Sequence, residues 1–66
     1  MKYKLTRYVS YLEKNEIIAV YSNFNLFFLK NEPALWFQKI VNNDETKDIP
    51  INFIKYLQEK EVIEHG

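Results

Sequence analysis

The sequence has no cysteine, a single glycine (Gly66) and a single histidine (His65), and each shortage excludes a class of site. Without cysteine the chain forms no disulfide, thiolate metal site or iron–sulfur cluster. A histidine beside the C-terminus is a poor metal ligand or catalytic base, because chain ends are seldom ordered. Glycine-rich phosphate-binding loops are absent as well. We therefore expect a protein that is not an enzyme and has no cofactor and no metal.

The chain also lacks an excess of charge of either sign. Nine basic and nine acidic residues give a formal net charge of zero. Lys2, Lys4 and Arg7 form a weak basic cluster at the N-terminus, and the sequence has no larger one. Nucleic-acid binding needs a basic surface, so we expect no nucleic-acid partner. No apolar run is long enough to span a bilayer, and no signal-peptide pattern follows Met1. These features predict a cytoplasmic protein without a membrane partner.

Aromatic residues are abundant in this short chain. The 66 residues are enough for a single domain, residues 1–66, and 17% of them are aromatic. A domain of this size buries only about 60% of the surface that its unfolded chain exposes. Each aromatic side chain can remove about 150–250 Å² from water. We therefore expect stability to come from aromatic burial or from a partner.

The first half of the sequence has the pattern of β-strands. Three apolar, β-branched or aromatic runs cover residues 5–12, 16–21 and 26–29. Turn-forming residues separate them, with Lys14-Asn15 in the first gap and residues 22–25 in the second. Three runs joined by short turns predict an antiparallel meander.

The second half has a helical period. Asn31-Glu32-Pro33 is a helix-start signal, apolar residues then recur four apart, and polar residues 42–44 end the helix. Residues 48–50 open a second helix, which continues to Glu61. Residues 62–63 close the domain, and we expect a frayed tail over residues 64–66. The order β-β-β-α-α predicts an α+β domain with the helices on one face of a three-stranded antiparallel sheet.

The third predicted strand does not alternate between apolar and polar residues. Leu26 and Phe28 point to one face, while Phe27 and Leu29 point to the other. In a three-stranded meander this strand is an edge, and an apolar edge needs a cover. The cover is the second helix, a second copy of the protein, or an extended peptide that adds as another strand. Alternatively the strand is core on both faces, because buried strands also have continuous apolar runs.

The last predicted helix has a wide apolar sector. Phe53, Tyr56, Leu57 and Lys60 lie along one stripe at helical spacing. Most of such a stripe is core. Phe53 and Tyr56 are also placed to line a groove beside the third strand.

Several segments of the sequence resemble one family. The run NLFFLKN at residues 25–31 leads into PALW at residues 33–36, and the C-terminal half ends with FIKYL at 53–57 and EKEVI at 59–63. This strand-to-helix junction and this final helix resemble those of the PqqD-like domains, which are recognition elements for precursors of ribosomally synthesised, post-translationally modified peptides (RiPPs). The resemblance covers nearly the whole chain, through patterns of residue type.

The resemblance implies a three-stranded antiparallel sheet followed by a winged-helix-like helical bundle. Here the bundle is reduced, because residues 42–49 leave room for at most one turn of the family's middle helix. It also implies that the domain binds the leader region of a precursor peptide as an added strand and presents it to a modifying enzyme. Carried over by position, the docking strand is Asn25, Leu26, Phe27, Phe28 and Leu29, and the groove wall is Phe53, Tyr56, Leu57 and Lys60.

Two other functions are compatible with the same elements. A winged-helix DNA-binding module has a similar set of strands and helices, but the zero net charge argues against it. A homo-oligomeric structural module, such as a homodimer, is the other alternative, because an exposed strand edge can pair with a second copy.

Overall fold

A computed structural model of the protein describes residues 3–66, so Lys2 of the basic cluster lies outside the described residues. It contains two antiparallel sheets and two helices, and the predicted α+β class is confirmed. The elements are β1 (Tyr3–Leu5), β2 (Val9–Lys14), β3 (Ile17–Ser22), β4 (Asn25–Lys30), α1 (Glu32–Val41), α2 (Ile51–Glu59) and β5 (Ile63–His65).

The larger sheet is a meander with the order β2-β3-β4. Both of its hairpins have two-residue turns, at Asn15–Glu16 and Asn23–Phe24, and all four turn residues have positive φ. This is the geometry of type I′ turns, whose twist matches that of the strands they join. The short turns fix the register along the whole length of β3.

The prediction for the two chain ends is wrong. The predicted strand over residues 5–12 is interrupted, because the Thr6 amide donates to the Val62 carbonyl oxygen at 2.9 Å instead of continuing a ladder. Glu64 and His65 of the predicted frayed tail belong to β5, which pairs with β1 in the two-stranded sheet, with Leu5 opposite Ile63. The order is therefore β-β-β-β-α-α-β.

The two helices begin close to the predicted signals. Asn31 is the N-cap of α1, with Pro33 in the first turn, and α2 begins directly after Pro50. Neither helix in residues 3–66 is long and apolar enough to cross a membrane.

Both helices also end in the same way. The residue after the C-cap, Asn43 or Glu61, has positive φ, and its amide and the next one bond back into the last turn. This pattern is the Schellman motif.

The core lies between one face of the larger sheet and the two helices. Its fully buried apolar side chains come from β3, from each helix and from the segment after α2. Sheet and helices therefore share one core, and the helices cover only one face of the sheet. These side chains are Ile18, Val20, Phe37, Leu57 and Val62.

Candidate functional site

The predicted docking strand is β4, and it lies at the edge of its sheet. β4 pairs with β3 along its whole length, from Asn25 opposite Ser22 to Lys30 opposite Ile17. No second strand of residues 3–66 pairs with it. The outward side of β4 is therefore available for another extended chain.

The turn geometry identifies which backbone groups face this open side. In a two-residue hairpin the residues that flank the turn, here Ser22 and Asn25, exchange hydrogen bonds, and the pairs then alternate. The amides and carbonyls of Leu26, Phe28 and Lys30 are therefore expected to point away from β3. These backbone groups can therefore form hydrogen bonds with a peptide that adds as an antiparallel or a parallel strand.

The side chains of β4 are divided between the two faces as predicted. Leu29 is buried in the core on the inner face, and Phe27 is half-buried beside it. Leu26 and Phe28 are exposed on the outer face. Asn25 is half-buried at the start of the strand, where its side-chain amide donates to the Asn23 carbonyl oxygen at 3.5 Å. The open edge is therefore apolar on both faces.

Helix α2 contributes Tyr56 and Lys60 next to β4. The Tyr56 ring meets the Phe27 ring edge-to-face with the centroids 5.4 Å apart. The Lys60 ammonium lies 5.6 Å from the centroid of the Tyr56 ring. Such contacts hold an aromatic ring in a defined orientation. An apolar wall with one positive charge therefore borders the strand.

The other two predicted wall residues have different positions. Phe53 is half-buried and packs on Trp36 of α1, with the ring centroids 5.2 Å apart. Leu57 is fully buried in the core, so it supports α2 from inside and its side chain is closed to a peptide. Of the nine predicted residues, Leu29 and Leu57 are the two classed as buried.

A polar cluster that the sequence reasoning missed joins the end of α2 to the β3–β4 hairpin. We call it the Glu61 cluster, and it consists of Thr6, Ser22, Asn23 and Glu61. The Glu61 carbonyl oxygen accepts hydrogen bonds from Thr6 Oγ1 at 2.6 Å and Ser22 Oγ at 2.8 Å. The Glu61 carboxylate accepts one from Asn23 Nδ2. This cluster fixes the wall relative to the docking strand.

The sequence also gave no sign of the contacts that β2, the strand at the opposite edge of the sheet, makes with α1. The Tyr11 ring meets Phe37 of α1 edge-to-face at 5.3 Å, and Gln38 Nε2 donates to Glu13 Oε2 at 2.6 Å. The Val9 amide reaches the Thr6 carbonyl oxygen at 3.5 Å. The inner face of this edge thus carries Glu13 and a polar contact with α1. Charged side chains on an edge disfavour pairing with another strand. β2 carries two of them, Glu13 and Lys14, whereas β4 carries one, Lys30, at its end, so β4 is the better acceptor.

Comparison with known proteins gave no match: no protein-family model fits the chain, and no curated protein or solved structure matches it. The resemblance to the PqqD-like domains therefore stays a prediction from the residues.

The groups at the β4 edge suit binding by backbone pairing and apolar contact. Within residues 3–66, no group of three or more His, Cys, Asp or Glu side chains is placed to hold a metal ion. Within the same residues, every buried side-chain nitrogen and oxygen has a hydrogen-bond partner. The open backbone groups of β4 and the Lys60 ammonium are the polar groups at this site that a ligand can satisfy.

Proposed function

We propose that the protein is a non-catalytic peptide-recognition domain, with a reduced winged-helix-like fold of the PqqD type. In this function it binds the leader region of a ribosomally synthesised precursor peptide. The leader adds as a strand on β4 and is presented to a separate modifying enzyme.

The observation that carries the proposal is the unpaired edge of β4. The backbone amides and carbonyls of Leu26, Phe28 and Lys30 are expected to face the open side of this strand. Apolar side chains lie on both faces of the strand. In β-augmentation, backbone hydrogen bonds supply affinity, and pockets for alternate side chains supply selectivity. A strand of six residues is long enough to form such a ladder.

The surroundings of β4 predict what the leader contains. Residues of the leader that point to the inner face meet Tyr56 and Lys60, whereas those that point outward extend the surface of Leu26 and Phe28. We expect an apolar side chain against Tyr56 and an acidic side chain within reach of Lys60. The outward positions are expected to be apolar.

The test uses a synthetic leader peptide from a precursor encoded beside the gene, titrated by calorimetry. Phe28→Pro removes an amide that is expected to face the open edge, so the β3–β4 ladder is retained. We expect at least a tenfold loss of affinity for Phe28→Pro and a few-fold loss for Phe28→Ala, which keeps the amide. Glu13→Pro makes the same change at the β2 edge and is the matched control, with affinity unchanged.

Circular dichroism establishes that each variant is folded before titration. The proposal fails if the leader shows no saturable binding. It also fails if Glu13→Pro abolishes binding while Phe28→Pro does not, because the peptide would then occupy the β2 edge.

A further inference from the structure

The outer face of the larger sheet, which points away from both helices, is apolar and uncovered. Alternate residues of all three strands point to this face, opposite to the buried Ile18, Val20 and Leu29. An antiparallel sheet that faces water normally has polar residues there. Here the large apolar residues of the outer face are Leu12, Ile17, Tyr21, Leu26 and Phe28.

The register makes these residues one continuous patch. Leu12, Ala19 and Phe28 form a row across all three strands, and Tyr21 and Leu26 form a pair in the next row on this face. Leu12 is 69% exposed, Phe28 is 66% exposed and Leu26 is 61% exposed. The patch therefore extends from the β2 edge to the β4 edge.

Its size is unusual for a chain of this length. With about 200 Å² for a fully exposed large side chain, the five residues leave roughly 550 Å² exposed. The largest patch on a typical monomer is about 300–600 Å². The patch is therefore at the upper end of this range in a chain of only 66 residues. Phe24, at the tip of the β3–β4 hairpin, is also 90% exposed.

Phe24 is also in a strained conformation. Its φ is 71°, in the left-handed region that is unfavourable for a residue with a bulky side chain. Asn-Gly is the preferred pair in this type of turn. A phenylalanine at the second position is unfavourable both because its φ is positive and because its ring is exposed to water. An outlier of this kind points to a role in binding.

We propose that the outer face is a self-association surface on which a second copy of the chain packs, sheet against sheet. Two copies would bury up to roughly 1,100 Å² in total, just above the approximately 1,000 Å² expected of a specific interface. This area is at the lower end for stable dimers, so we expect a reversible association that depends on concentration.

The charges on the outer face constrain how a second copy lies on it. Its charged residues are Lys14 and Lys30, which flank Ile17 at one end. A twofold axis that lies in the interface and runs across the strands places the lysine pairs of the two copies at opposite ends, away from each other. Each pair then lies over the aromatic end of the other copy, where Tyr21 accepts a cation. The open edge of β4 remains free in this arrangement.

The test is sedimentation equilibrium of the full chain from about 1 to 500 μM. We expect the mass to rise from 8.0 kDa towards twice that value. Leu12→Lys and Leu26→Lys place a charge on the outer face from opposite edge strands, and each should weaken association at least tenfold. Leu35→Lys, on α1 at 58% exposure, is the matched control and should associate like the wild type.

Pairing through the β4 edge and binding to lipid predict different results. An edge-paired dimer would be lost in Phe28→Pro but unaffected by Leu12→Lys, and this result would overturn the proposal. A wild-type chain that is monomeric throughout would also overturn it, whether or not it binds vesicles of anionic lipid. Circular dichroism checks that each variant is folded, and the wild-type mass decides the proposal if one variant is not.

Discussion

Seven residues of the described chain have positive φ, and none of them is glycine. Left-handed conformations are easiest for glycine and are tolerated by asparagine, because its short side chain bonds locally. Four of the seven are asparagine, and the other three are Glu16, Phe24 and Glu61. Glu61 differs from the other two because its side chain and its carbonyl oxygen both accept hydrogen bonds.

Substitutions at Glu61 separate backbone strain from the hydrogen bond to Asn23. Glu61→Ala keeps the left-handed strain and loses the bond, so we expect a decrease of about 1 kcal/mol in the free energy of unfolding. Glu61→Gly loses the same bond but relieves a strain of about 1 kcal/mol, so its stability should be close to wild type. Urea denaturation of both variants measures the difference.

Lys55, in the middle of α2, provides the control. It is exposed and helical, so Lys55→Gly should be less stable than Lys55→Ala by about 0.5–1 kcal/mol, the reverse of the order at position 61. The same order at both positions would mean that the backbone of Glu61 is not strained.

At the scale of whole elements, the β1–β5 pair ties the two ends of the chain together. Ile63 in β5 is buried in the core, and Lys4 Nζ lies 3.6 Å from Glu64 Oε2 between the two strands. Removing residues 63–66 deletes this strand and exposes the core around Val62. We expect the free energy of unfolding to fall by several kcal/mol, because a buried isoleucine alone contributes about 2–5 kcal/mol.

Removal of Gly66 alone is the control for this truncation. Gly66 lies after β5, so its loss should leave the urea midpoint unchanged. Equal stability of the two shortened chains would show that the β1–β5 pair contributes nothing to the fold.

Local signals predicted the helices and the two faces of β4, whereas the pairing of the chain ends could not be predicted. Helix starts depend on adjacent residues, such as Asn31 and Pro33, and strand faces follow from alternation. Leu5 and Ile63 pair only when two segments from opposite ends of the chain come together, and neither segment has a local signal for this pairing.

The candidate site was predictable to a similar degree. The apolar run at residues 26–29 identified the edge strand, and helical spacing identified α2 as its neighbour. Spacing alone did not separate Tyr56, which is half-exposed, from Leu57, which is buried, because adjacent helical residues differ by about 100° in direction. The Glu61 cluster depends on a helix end meeting a distant hairpin, so it had no signal in the sequence.

At the scale of the whole molecule, a single small core supports both the proposed peptide site and the proposed dimer surface. For 66 residues a free energy of unfolding of roughly 3–10 kcal/mol is typical. Any ligand that binds only the folded state raises this value, by about 2.7 kcal/mol at one hundred times its dissociation constant. Binding at the β4 edge or on the outer face should therefore be measurable as a higher unfolding midpoint.

Substitution of Phe37 tests how small the free energy of unfolding of this domain is. Its ring is fully buried, and it joins α1 to the sheet through the edge-to-face contact with Tyr11. Truncation of a buried phenylalanine to alanine costs about 3–5 kcal/mol, which is comparable with the whole stability of the domain. We expect Phe37→Ala to be largely unfolded by circular dichroism, while Leu35→Ala, on the exposed side of the same helix, keeps the wild-type spectrum. A cooperative urea transition near the wild-type midpoint for Phe37→Ala would mean that the fold does not depend on this shared core.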